Sequence, residues 1–309
     1  MKRRDFIKTG ILGTGIFINA NIIQANDSKS KKFSLKFSYE VNFDSAKEIK
    51  LYIPMPLTTD FQQPSNMKIW GNYDFYKTYR QNNVPIIYAQ YSFKPKPKII
   101  SIQTDILLSP RASQENLENP EKFLQSSRYI RTDGIIKQLA SKFQDKNEEK
   151  TIHNIYGYLK HHLHYQQAKN IEGIRNIHTK NAAIIFPGEN VSATTLFVSL
   201  CRACKIPARE ALGIELGNPS ASIVTKAEVF FKQNGWIPYD IIASIKNPHY
   251  DGRGKWEENF VLLNYQKDIQ IEKYIISSFG SAFGLVDGDN LNYYENKKFI
   301  KNISFKHLS

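Results

Sequence analysis

Apolar and polar residues alternate in two stretches near the start and middle of the chain, Phe33-Ser34-Leu35-Lys36-Phe37-Ser38-Tyr39 and Ile100-Ser101-Ile102-Gln103-Thr104-Asp105-Ile106. A period of two puts the apolar set on one face of a strand, so both read as half-buried strands. Ile49 to Ile53 and Val84 to Phe93 add short apolar runs between them. Regular spacing and intervening turn residues predict an antiparallel β-sandwich over 33–115. Lys94-Pro95-Lys96-Pro97-Lys98 reads as a rigid turn or sheet edge, because proline cannot donate to a central ladder. Beyond residue 119 the period changes. Ile135, Ile136, Leu139 and Phe143, then Ile152, Ile155, Tyr156 and Leu159, recur at three-to-four spacing, which predicts two helices joined by the polar segment Asp145 to Lys150. A third apolar helix carries Leu196, Phe197 and Leu200 and begins near Asn190 or Ser192; strands follow at Glu228 to Phe231 and Trp236 to Tyr239. Helices succeeded by a helix and strands predict an α+β core over 116–245, with 246–309 supplying strands that complete it.

The first 25 residues stand apart. Lys2-Arg3-Arg4-Asp5-Phe6-Ile7-Lys8, a mildly apolar stretch with Gly10, Gly13 and Gly15, and small-residue cleavage after Ala25 predict a twin-arginine export signal, with 26–32 as linker. The run Ile11 to Ile23 is too short and too polar to span a bilayer, and nothing later approaches membrane length, so no stable transmembrane segment is expected once the signal is removed. Formal charge is +13, of which Lys2, Arg3, Arg4 and Lys8 against Asp5 belong to the signal, leaving +10 on the remainder. Such a surface suits anionic periplasmic partners, lipid head groups and acidic glycans among them, and export argues against nucleic acid.

Two segments carry chemistry. Gly188-Glu189-Asn190 leads into a helix ending Leu200-Cys201-Arg202-Ala203-Cys204-Lys205-Ile206-Pro207-Ala208-Arg209; further on stand Lys226-Ala227-Glu228-Val229-Phe230-Phe231 and Gly235-Trp236-Ile237-Pro238-Tyr239-Asp240. Together they resemble the core of transglutaminase-like proteins, whose reactive cysteine, histidine and carboxylate lie in these segments. Counted back without gaps from Ile206, the cysteine slot holds Asn190; four residues before Glu228, the histidine slot holds Val224; the carboxylate stands as Asp240. Leu51-Tyr52-Ile53-Pro54-Met55-Pro56 with Gln62-Gln63 is similar to the β domain preceding some bacterial members, and Phe283 to Gly288 with Phe299-Ile300 resembles their ends. The resemblance implies a papain/transglutaminase-like core and, in active members, a Cys–His pair that generates a thiolate oriented by the carboxylate. An amide is not a usable nucleophile and valine carries no exchangeable proton, so the expected site is degenerate.

The implied reading is a non-catalytic periplasmic protein that binds a peptide, peptidoglycan-derived or protein ligand through the former cleft, with Asp240, Asn190, Trp236 and Ser192 as contacts. An active cysteine peptidase or acyltransferase, and a structural or assembly partner, stand as the alternatives. No cofactor and no metal are expected: His161, His162 and His164 point in different directions from one segment without a matching carboxylate or thiol. Asn190 is a strong N-cap type. A substitute hydroxyl nucleophile, Ser192 or Thr194 with His178 as its base, is disfavoured because Val224 removes the expected base. Cys201 and Cys204 continue the apolar helix face as small hydrophobes rather than a redox pair, since a redox pair sits at a helix N-terminus. Trp70 and Trp256 are the aromatic candidates for a binding surface.

Overall fold

A computed structural model of the chain describes residues 30–93, 96–111, 119–165, 178–180, 183–185, 192–217, 220–254, 256–265, 267–291 and 297–308. The predicted signal and Asn190 lie outside the described residues.

Six strands open the chain: β1 (Lys31–Val41), β2 (Glu48–Pro54), β3 (Gln62–Gly71), β4 (Phe75–Gln81), β5 (Val84–Ser92) and β6 (Lys98–Leu108). The alternation seen in sequence becomes burial, with Phe33, Leu35, Phe37, Tyr39 and Val41 of β1 facing inward beside Ile100, Ile102 and Ile106 of β6. A short 3₁₀ turn, Pro120–Leu124, leads to α1 (Gly134–Ser141) and α2 (Glu148–His162). A hairpin of β7 (His178–Lys180) and β8 (Ala183–Ile185) precedes α3 (Ala193–Ala203). Strands β9 (Ala208–Leu216), β10 (Ala221–Phe231) and β11 (Gly235–Tyr239), α4 (Ile241–Lys246) and β12 (Phe260–Asn264) follow. These strands form an antiparallel sheet in the order β11-β10-β9-β12. Helix α3 lies on the face carrying Ala208, Ala227, Val229 and Tyr239, and joins α1 and α2 in one apolar cluster.

The chain then returns to its beginning, through β13 (Ile269–Ile271), β14 (Tyr274–Ile276), β15 (Phe283–Val286), β16 (Asp289–Leu291) and β17 (Phe299–Leu308). Here the structure differs from the sequence reading of 246–309 as strands completing the core. Only β12 joins the core sheet; β17 pairs along the whole of β1, and β15 pairs with β2. The sandwich is therefore built from both ends of the chain, as sheets β17-β1-β6-β3 and β16-β15-β2-β5-β4. β1 would otherwise leave a row of unpaired N–H and C=O groups, which β17 covers.

The two units share interior. Ile214, Leu216, Val261 and Leu263 of the core sheet belong to the sandwich's apolar cluster. Buried Gln62 latches the units together: its Nε2 donates to the carbonyls of Leu57 (2.7 Å) and Leu262 (2.8 Å), and the Leu262 N–H donates to its Oε1 (2.7 Å). One side chain thus satisfies three backbone groups that would be costly to bury alone.

Candidate functional site

The N-terminus of α3 is capped by Ser192, whose Oγ accepts the Thr195 N–H at 3.3 Å. The cap therefore falls two residues after Asn190. Thr194 Oγ1 donates to the Thr225 carbonyl at 3.0 Å, which ties the first turn of α3 to β10 next to Val224. Thr195 Oγ1 donates to Glu210 at 2.5 Å, and Lys267 Nζ contacts the other Glu210 oxygen at 2.7 Å, so the buried hydroxyl and carboxylate under this turn are both engaged.

On β10, residues 224, 226 and 228 share one face, and antiparallel register places Lys226 opposite Ala211 of β9 and Glu228 opposite Arg209. Asp240, one residue past β11, lies on this same face. Both of its carboxylate oxygens are engaged. Oδ2 meets Lys226 Nζ at 2.7 Å, and Oδ1 accepts the Ala243 N–H at 3.0 Å as the N-cap of α4. Lys226 also reaches Glu215 at 3.1 Å and lies 5.1 Å from the centre of the Phe260 ring. The ring fits because residue 213 is glycine: a Cβ there would stand 2.6 Å from it. Val224 is half-buried and packs on the cluster of Leu57, Phe61, Ala211, Trp256, Phe260 and Leu262. An imidazole at 224 would share this face with an ammonium already bound to the carboxylate it needs.

Two residues along, Glu228 is wholly buried between two arginines. Arg209 donates to Oε2 through Nε and Nη2, each at 2.6 Å; Arg111, from the end of the sandwich, pairs with Oε1; and Tyr265 donates to Oε1 at 3.4 Å. Burial pushes the Glu228 carboxyl up, but Arg111 and Arg209 more than reverse this and hold it below the ordinary carboxylate range. The guanidinium of Arg209 stacks 3.5 Å from the Tyr265 ring centre and 4.1 Å from that of Trp236, while Arg111 lies 4.4 Å from Trp256. The Arg209 and Glu228 of the sequence motif are thus each other's partners across two strands.

Sequence placed Trp236 and Asp240 at a ligand-contacting cleft; both are turned inward, Trp236 into the arginine stack and Asp240 onto Lys226. Trp256 is likewise buried, whereas Trp70 is exposed. Lys226, Glu215 and Arg111 were missed. Strand parity was the available signal, since a lysine two residues from Glu228 shares its buried face and must find an anion. Cys201 and Cys204 are free and buried, and burial raises both thiols; for Cys201 the raised value reflects burial first and Cys204 second. Among the described residues no cluster of His, Cys, Asp and Glu could hold a metal, and His162 instead stacks on Tyr158 with its Nδ1 2.9 Å from that residue's carbonyl. No helix of the described residues is long and apolar enough to cross a membrane.

An open depression of about 660 Å³ lies elsewhere, between the start of α2 and the edge strand β11. Ile237 and Tyr239 form part of its floor, with Lys150, His153, Asp251 and Arg253 on its walls. Arg253 donates to Asp251 through Nε and Nη2 and to His153 Nδ1 at 2.8 Å. A guanidinium has no acceptor, so Nδ1 must accept and the imidazole proton resides on Nε2.

Residues 137–241, from α1 through β11, match the family profile of the transglutaminase-like superfamily. The chain carries a transglutaminase-like domain. An uncharacterized protein of Haemophilus influenzae is 24% identical and covers 91% of this chain and 92% of its own length. A solved structure of a proposed cysteine protease from Cytophaga hutchinsonii superposes with a TM-score of 0.59 at 15% identity, covering 91% of this chain and 92% of that one, which places the fold. The architecture is an α+β, papain/transglutaminase-like core with an antiparallel sandwich.

Proposed function

We propose that the transglutaminase-like domain is non-catalytic and serves as a binding module for peptide or peptidoglycan-derived ligands in the periplasm. One observation carries the first half: the ion pair of Lys226 with Asp240, which gives the triad carboxylate a permanent cation in place of a titrating imidazole. Asn190 and Val224 at the two reacting positions support the same reading. Neither thiol of the chain offers a replacement, because a buried thiol with a raised pKa is a poor source of thiolate. The likeness to the proposed cysteine protease of Cytophaga hutchinsonii favours an active cysteine enzyme as the second reading, and that reading has only the buried Cys201 and Cys204 to supply the thiol.

The binding half rests on the depression beside β11. Its walls carry both signs of charge, which suits a ligand bearing amide, carboxylate and ammonium groups, as a stem peptide does. Purified protein is expected to show no turnover of peptide amides or stem peptides. Native alkylation of Cys201 and Cys204 is expected to be slower than in denaturant by on the order of 100-fold, reporting burial. Turnover that disappears in Ser192→Ala or Cys201→Ala defeats the non-catalytic reading. For binding, a synthetic tetrapeptide stem titrated calorimetrically should lose affinity in Arg253→Gln and keep it in Asp240→Asn. The reverse pattern returns the ligand to the old cleft.

A further inference from the structure

At one end of the sandwich two turns are tied together. Asn72, after β3, donates to the Pro97 carbonyl (2.8 Å) and accepts the Ile99 N–H (2.7 Å). Asp74 donates its N–H to the Gln90 carbonyl (2.9 Å) and accepts the Ser92 N–H (2.5 Å). Around this tip stand Trp70, Phe75, Tyr76, Phe93 and Ile99, each between 39 and 60% exposed. Half of the large apolar side chains that the described residues leave exposed are gathered here, a concentration that isolated surface hydrophobes do not produce. The tip is also basic. Lys68, Lys77 and Lys96 are exposed there, and the acids that strand register places at this end besides Asp74 are engaged within the protein, Glu48 by Gln90 and Lys50 and Glu40 by Asn42. Asp74 is engaged by the turn itself.

We propose that this tip docks onto an anionic phospholipid surface. Phe93 and Ile99 offer a sugar or a peptide no hydrogen bond, yet they can enter the boundary between head groups and acyl chains. Trp70 and Tyr76 pair an apolar ring with a polar end, the type that settles at that boundary. The flanking lysines complement lipid phosphates, a surface attraction that salt screens. The hydrogen bonds between the turns hold the aromatics in place before contact, which reduces the ordering cost of binding. The proposal does not depend on the domain's catalytic status or on the depression beside β11.

Trp70 makes the test direct, because the other two tryptophans, Trp236 and Trp256, are buried. With full-length protein and vesicles of phosphatidylcholine containing phosphatidylglycerol, tryptophan emission should shift to the blue. Brominated acyl chains should quench it, and pure phosphatidylcholine should have a weaker effect. Lys68→Gln with Lys77→Gln and Lys96→Gln should weaken vesicle co-sedimentation by about 100-fold at low salt. Phe75→Ser with Phe93→Ser should abolish the blue shift while circular dichroism stays unchanged. Absence of any Trp70 shift or quenching with anionic vesicles overturns the proposal. So does unchanged co-sedimentation of both variants. Two further results also overturn it: a dimer in sedimentation velocity that Phe93→Ser dissolves, in place of lipid binding, or capture by purified sacculi without vesicle binding.

Discussion

Glu228 and Asp240 are acids of the same sheet face, both within the transglutaminase-like motif, and both are buried against cations. Their settings differ in kind. Glu228 sits between two guanidinium groups that offer planar forks of donors and stack on aromatic rings, and it links Arg111 of the sandwich to Arg209 of the core. Asp240 has one ammonium, shared with Glu215, and a helix N-cap bond. The first arrangement is a joint between two units and needs no chemistry to account for it. The second occupies the place where the resemblance expects chemistry, and it satisfies the carboxylate without any ligand. Retention of an acid in a motif therefore says little about its use until its counter-charge is known.

The comparison is most severely tested at Glu228. Glu228→Gln leaves two buried arginines facing an amide, and a loss of about 3–5 kcal/mol in urea unfolding is expected, in the range for breaking a buried pair from one side. A cost below about 1 kcal/mol would mean that the two units do not depend on this joint. Acid should reveal the same group. Its folded value lies below the unfolded one, so its stabilisation is complete above the ordinary carboxylate range of about pH 4–5 and is lost as pH falls through the lower folded value. Glu228→Gln should flatten the acid limb of the stability curve.

Lys226→Met removes the cation from Asp240 while keeping the side chain's bulk. An expected cost of about 2–3 kcal/mol places it below Glu228→Gln, because the helix cap remains and Glu215 is partly exposed. Equal costs for the two variants would erase the distinction drawn here. To sharpen it, Asn190→Cys and Val224→His can be combined with and without Lys226→Met. Thiol labelling at position 190 that becomes faster only in the triple variant would show that the lysine blocks such a pair. The smallest effect is expected at the start of α3, where Ser192→Ala should cost about 1 kcal/mol in thermal or urea unfolding. No change there would mean that the cap falls elsewhere.

Much of this was legible in the chain. The alternation of β1 and β6 and the three-to-four spacing of α1 and α2 were read within a few residues, because each element buries one regular face. The motif residues pointed to the transglutaminase-like core. Pairing partners were hidden. Arg111 is 117 positions from Glu228, Lys226 and Asp240 meet only through the β10–β11 register, and β17 lies beside β1 although the chain's length separates them.

Local periodicity is a property of the sequence itself, since a strand or helix must hide the same face wherever it goes. The elements and their order followed from that alone; the transglutaminase-like core, and the expectation of cysteine and histidine where Asn190 and Val224 stand, came from the motif's resemblance. Which charge neutralises which is a question of distance in space, and only the tertiary structure could decide it. Sheet register brought Lys226 to Asp240, the seam between the two units brought Arg111 to Glu228, and two tied turns gathered Trp70, Phe75 and Phe93 at one tip.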